Sequence, residues 1–253
     1  MVSLALQLAH QLLVGRVQPR MDAVDDRQQR PEGVACMRPR RRGEVTAGAA
    51  TIPVPLLERA RVHLDEVERE AAAAGVSCDT EVIRTSLRLY QEIVQQADQM
   101  QANLIVMGRR GRRGFARVRL GQATAKVIGH AHCSVLVVPR NTETTGRRFV
   151  LATDGSRFAD AATDIAGSLA KVLGAPVSAI SVTLPSQSVQ RHEEARSASN
   201  RAAAFLASHG IATEAEVQHG RPDEVIVQTA VAKQADLIVV GSHGRTGLER
   251  AML

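Results

Sequence analysis

Three glycines, spaced Gly108-x2-Gly111-x9-Gly121, are the residues of this 253-residue chain whose placement first suggests chemistry. An apolar run, Leu104 to Met107, leads into them, and an Ala-rich helical pattern follows Gly121. A short apolar run closed by glycine reads as a strand buried on both faces. A helix opening at Gly121 aims unpaired N–H groups and partial positive charge at the loop above that strand. Glycines let a backbone approach closely, so the combination suits a phosphate chain. Arg109, Arg110, Arg112 and Arg113 surround Gly111 and serve equally as neutralising cations or as a solvated basic loop.

A second set begins at Asp154, which follows the apolar run Phe149 to Ala152. A carboxylate at a strand's carboxyl end lies where ligands enter open α/β sheets. Asp154-Gly155-Ser156 equally suits a helix N-cap turn. Gly241-Ser242-His243-Gly244 sets Ser beside His, yet neighbours on one loop seldom form a nucleophile–base pair, so the four read as a turn. His130, His132 and Cys133 cluster tightly enough to suggest a metal, and equally well form a helix-to-strand loop. The chain carries no G-x4-G-K-[ST], G-x-S-x-G or H-E-x-x-H sequence, so the motif case for catalysis is thin.

Hydrophobic residues make up 44% and aromatics 2%, so the core must be built from Ala, Val, Leu and Ile. The formal charge of +6 raises the question of a nucleic-acid partner. Much of the excess lies in Arg38 to Arg42 and the glycine loop, which read as solvated segments, and nucleic acid is not the expected partner. Cys36, Cys78 and Cys133 are odd in number and lack C-x2-C spacing, which fits a reducing cytosol rather than a disulfide framework. No run reaches the roughly 18 apolar residues of a bilayer span, and residues 2–15 read as an amphipathic helix rather than a leader. The expected location is cytoplasmic.

Helical spacing covers residues 4–14, and residues 16–50 lose every periodic signal and read as irregular. A helix runs from Pro55 to Gly75 with Leu57, Ala60, Leu64, Val67 and Ala71 on one face. Val76, Cys78, Thr80 and Val82 alternate as a strand would, and residues 86–101 return to helix. Residues 141–146 are a polar linker. Beyond it come strand Phe149 to Ala152, helix 159–173, strand Val177 to Leu184, helix 188–209, strand Ile211 to Val217, helix 223–234 and an apolar run from Leu237 to Gly241. Ala102 to Gly114 matches Ala235 to Gly247 with all three glycines in phase, and Gly75 to Val82 matches Gly210 to Val217. The chain is therefore a tandem repeat, 1–140 and 147–253, of alternating strand and helix.

The glycine spacing, its leading strand and the closing run His130 to Pro139 resemble the universal stress protein family. The resemblance implies an α/β fold of two Rossmann-like, adenine-nucleotide-hydrolase-like parallel-sheet domains. It implies ATP as a regulatory ligand in stress response, Mg2+ accompanying it, and hydrolysis that is slow at most. By the family's pattern Met107, Gly108, Arg110, Gly111 and Gly121, with the backbone of Gln122 and Ala123, would hold phosphates. Gln122 departs from that pattern, which places Ser or Thr there. In the second copy, Ala152, Thr153 and Asp154 would lie beside the nucleotide, Val182 would contact adenine through its backbone, and Gly241 and Gly244 would form the phosphate loop. A tight turn is the plain alternative for those two glycines. Family members pair through their last strand, here Ser134 to Val138, implying a homodimer.

Neither copy matches the family throughout. On the repeat register the partner of Asp154 would precede Met1, so the first copy is expected to lack its N-terminal strand. The counterpart of Gly121 would fall just past Leu253, so the second copy is expected to stop before its last strand. Burying one Val, Leu or Phe is worth roughly 1.5–3 kcal/mol, against a domain stability of about 5–15 kcal/mol, so a missing central strand demands a substitute. Strand 149–152 or a second chain is expected to fill the gap. The rival readings are an interaction module without nucleotide, a polybasic nucleic-acid binder, and a truncated or frame-shifted fragment with residues 16–50 out of frame.

Overall fold

The computed structural model describes residues 54–83, 85, 87–109, 120–139 and 146–244. The chain divides into two compact units, with the boundary between Thr142 and Glu143. Expectations for residues 4–14 and 16–50, for the missing first strand, and for the loop holding Arg110, Gly111, Arg112, Arg113 and Gly114 lie outside the described residues.

In the first unit the described elements are α1 (Val54–Ala73), α2 (Leu89–Gln99), β1 (Leu104–Gly108), α3 (Gln122–His130) and β2 (Ser134–Val138). Helix α1 buries Ala71 completely and half-buries Leu57, Ala60, Leu64 and Val67, the stripe its spacing dictates. The chain then reverses at Gly75, whose φ of +71° is left-handed and favours glycine. Strands β1 and β2 pair in parallel, Leu104 with Ser134 through Gly108 with Val138.

Two expectations need correction in this unit. Val76, Cys78, Thr80 and Val82 are half-buried while the residues between them are exposed, yet the segment forms no paired strand. Alternation aims side chains, but a strand also needs a neighbour's backbone, and none pairs with it among the described residues. Strand β1 is not buried on both faces: Val106 is 39% exposed. Among the described residues β2 is its only neighbour, so there β1 stands at an edge rather than at the centre of a sheet.

The second unit comprises β3 (Phe149–Ala152), α4 (Arg157–Leu173), β4 (Val177–Thr183), α5 (Val189–Ser208), β5 (Thr213–His219), α6 (Pro222–Ala232) and β6 (Leu237–Val240). Its four strands are all parallel in the order β5-β4-β3-β6. Phe149 and Leu151 face one side, against Ala162, Ala166 and Ala170 of α4 and Ala202 and Leu206 of α5. Val150 faces the other, with Ile180 and with Ala230 of α6. Alanines on α4 and α5 let helices lie close to the sheet, and Gly167 comes so near Leu206 that an added Cβ would meet its Cδ2 at 3.1 Å. Close approach of this kind is how a core with few aromatics can pack without large side chains.

Local chemistry fixes the boundaries. Ser156 caps α4 by accepting from the Ala159 amide, and Gly174 ends it at φ +65°. Ser188 caps α5, and Pro222 opens α6. Strand β3 has β4 on one side and β6 on the other, both within its own unit. Of the two fillers the sequence offered for the first unit, strand 149–152 or a second chain, the first is therefore already paired on both sides within the second unit.

Candidate functional site

In the second unit, β3 is followed outward by β4 and β5, after which the chain returns to β3's other side for β6. Between β3 and β6 successive connections part in opposite directions, which opens a crevice at the carboxyl ends of those strands. Ala152, Thr153 and Asp154 reach this crevice from β3, and Gly241 to Gly244 from β6.

Thr153 is a fixed post. Its amide donates to the Ile180 carbonyl at 2.9 Å, and its carbonyl accepts from Ser181 Oγ at 2.7 Å. Its hydroxyl accepts from the Gly155 amide at 3.2 Å. Asp154 is half-buried, and its Oδ1 accepts from the Ser156 amide at 3.0 Å, which holds the carboxylate over the first turn of α4. The capping turn and the strand-end carboxylate thus coexist in the same three residues.

The two glycines of β6's loop have different reasons for being glycine. A Cβ on Gly241 would lie 2.8 Å from Phe158 C, 2.9 Å from Phe158 O and 3.0 Å from Ala159 N, all backbone atoms of α4's first turn. A Cβ on Gly244 would lie 3.0 Å from Asp154 Oδ2. Gly241 lets the loop settle on the helix, and Gly244 brings its backbone to the carboxylate. The Phe158 ring carries the Arg157 guanidinium 4.8 Å from its centre and the His243 ring at 5.0 Å. Ser242 Oγ and His243 Nδ1 lie 3.0 Å apart on this exposed loop, and among the described residues the His243 ring packs on Phe158 and no acid orients it.

Val182 is placed by register. Ile180 turns its carbonyl toward β3, and Thr183 turns its own toward Gly220 on the β5 side. Backbone groups two residues apart share a direction along a strand, so Val182 faces the β3 side, beyond where β3 has ended. One residue at this site carried no signal in the sequence. Arg201, on α5, lies against the turn that bears Asp154: a Cβ on Gly155 would meet its Nη2 at 3.0 Å. Only packing of α5 across the sheet brings it there.

The first unit assembles part of the same arrangement. The Arg109 amide donates to Val138 O at 3.1 Å, and the Gly121 amide donates to Arg109 O at 2.9 Å. Thr124 Oγ1 donates to Gly108 O at 3.1 Å. Gly108 and Gly121 are thereby drawn together at the end of β1, with Met107 one residue back, paired with Val137. Gly121 caps α3 without a side chain, so the amides of Gln122 and Ala123 open onto this loop. Arg110 and Gly111 lie outside the described residues.

Among the described residues no group of three His, Cys, Asp or Glu is placed to hold a metal. In the His130–Cys133 loop, His130 Nδ1 bonds the Lys126 carbonyl at 2.7 Å and its ring meets Tyr90. Burial pushes the Cys133 thiol up from its ordinary value, with the Asp98 charge adding to the effect.

A family model described as the universal stress protein family matches residues 34–139 and 146–253. Universal stress protein MJ0531 of Methanocaldococcus jannaschii is 39% identical over 85 residues, spanning 34% of this chain and 49% of that protein. Universal stress protein Sll1388 of Synechocystis is 35% identical over 101 residues, spanning 38% of this chain and 64% of that protein. Both matches thus cover less than two-thirds of the relative's length. Among solved structures, a universal stress protein from Archaeoglobus fulgidus superposes with a TM-score of 0.60 at 21% identity, over 73% of this chain and 65% of that one. At that identity the likeness is one of fold.

Proposed function

Since the chain belongs to the universal stress protein family, we propose that its second unit takes up an adenine nucleotide, ATP foremost, as a regulatory ligand in stress response. The base lies toward Val182, whose backbone offers a donor and an acceptor on the β3 side. Asp154 sits beside the sugar, with Ala152 and Thr153 fixing its position. Gly241 and Gly244 keep the loop backbone close enough to receive phosphates, and Mg2+ enters with the triphosphate as its counter-ion. The ligand's role is read as regulatory, with hydrolysis slow at most; among the described residues no acid orients His243 toward Ser242.

The convergence of Gly244 on Asp154 at the switch point carries this reading, because a single added carbon would fill the space between them. In the first unit, Met107, Gly108, Arg110, Gly111, Gly121, Gln122 and Ala123 supply only the phosphate half of such a site. Among the described residues no strand brings an acid to Gly108. The nucleotide is therefore assigned to the second unit.

Isothermal titration of ATP into the full chain tests the assignment. Saturable heat is expected, with Asp154→Ala weakening binding at least about tenfold, as loss of a hydrogen bond from a charged group does. Absence of heat at millimolar ATP would leave the interaction module as the better reading.

Pairing of two copies is assigned to β2, Ser134–Val138, whose outer edge has no strand beside it among the described residues. Among the described residues no helix is long and apolar enough to cross a membrane. With Cys78 and Cys133 both free thiols, a cytoplasmic location is the proposal that fits.

A further inference from the structure

The carboxyl ends of β4 and β5 hold two histidines that the nucleotide reading does not use. Thr183 and His219 stand opposite each other in the parallel ladder, and His192 lies in the first turn of α5, just after β4. The connection between β4 and α5 is tight, with Gln187 bonded to Leu184 through both its amide and its side chain. The His192 and His219 rings therefore meet on rigid elements, their centres 5.3 Å apart and their planes inclined at 46°.

Each ring is held through the same nitrogen. His192 Nδ1 lies 2.9 Å from the Ser188 carbonyl. A carbonyl only accepts, so in the neutral ring Nδ1 carries the hydrogen and Nε2 carries a lone pair. His219 Nδ1 lies 2.9 Å from the hydroxyl of Thr183, which is buried. Among the described residues neither Nε2 has a hydrogen-bond partner. Metal-ligating histidines are commonly tied through their second ring nitrogen to an acceptor, the part Ser188 plays for His192 and Thr183 plays for His219 when its hydroxyl accepts.

We infer that His192 and His219 form a two-histidine site for a borderline divalent cation such as Zn2+, bound through the two Nε2 atoms. Zn–N bonds of about 2.0–2.1 Å at a tetrahedral angle set two imidazole centres about 5 Å apart, in keeping with the observed separation. Imidazole donors select zinc, nickel or copper over magnesium or calcium, so this site is chemically distinct from one that would hold Mg2+ with ATP. Two protein ligands leave the remaining positions to water, so the bound ion is exchangeable rather than structural.

The test uses the full chain with 15N-labelled histidine and no nucleotide, titrated with Zn2+ while the ring nitrogens are followed by NMR. All histidines report at once, so the other six serve as internal controls. The Nε2 signals of His192 and His219 are expected to shift first and along one shared curve. His192→Gln and His219→Gln should each lower the affinity at least about tenfold and abolish the shift of the other ring. If zinc moves other rings first, or the two respond along separate curves, or neither substitution affects the other ring, the site does not exist. None of these outcomes depends on ATP binding.

Discussion

Gly241→Ala isolates one contact on which the second unit's site depends. The added methyl meets Phe158 C at 2.8 Å, Phe158 O at 2.9 Å and Ala159 N at 3.0 Å. These atoms belong to the first turn of a 17-residue helix capped by Ser156, so none can swing aside as a side chain would. Either the loop lifts from α4 or the helix moves off the sheet, and overpacking of this kind costs about 2–3 kcal/mol. For a unit of this size, at about 4 °C per kcal/mol, the melting midpoint should fall by roughly 8–12 °C. Gly244→Ala is the control. Among the described residues its methyl meets one side-chain oxygen, Asp154 Oδ2 at 3.0 Å, and no backbone atom, so the melting midpoint should fall less than for Gly241→Ala while ATP affinity drops. Thermal unfolding followed by circular dichroism, with ATP titration of each variant, separates the two effects. A Gly241→Ala midpoint equal to that of the parent, or equal losses for both variants, would refute the reasoning.

Two further predictions concern other parts of the molecule. Glu214 is held below its ordinary value of 4.5, first by the Ser178 hydroxyl and then by Lys233. A depressed carboxylate stabilises the fold fully above its unfolded value and loses that contribution as pH falls through the folded one. Acid unfolding of Glu214→Gln should therefore show a flatter stability profile below about pH 4.5 than the parent, and an unchanged slope there would show that Glu214 contributes nothing. On β2, the Val138 carbonyl turns to β1, so by alternation Val135 and Val137 turn their backbone groups outward. Val135→Pro removes an outward N–H without touching the β1 ladder, and sedimentation should then report a monomer. A persisting dimer would move the interface elsewhere.

Local signals carried most of the second unit. Phe149–Ala152 reads as a strand because four apolar residues stand between a polar linker and Asp154-Gly155, and it is one. Gly174 and Ser188 mark helix ends that the structure places within a residue or two of the sequence reading. What failed depends on neighbours. Val76 to Val82 has a strand's alternation but pairs with no backbone among the described residues, and Val106 has a core strand's composition but an exposed face. Both follow from pairing, which no single segment encodes. Ile211 to Val217 was displaced by two residues because β5's ladder runs on to His219, opposite Thr183. At the site, Gly244 was legible from the repeat and Asp154 from its place at the end of an apolar run. Arg201, by contrast, reaches the Asp154 turn only because α5 lies across α4's flank of the sheet.

Among the described residues strand β5 is one of the two edges of its sheet, and Lys233 Nζ bonds both Glu214, at 2.9 Å, and Glu216 from just beyond the end of α6. Any foreign strand zipping onto that margin would have to strip water from this charged trio. The penalty guards this margin of the sheet against runaway stacking.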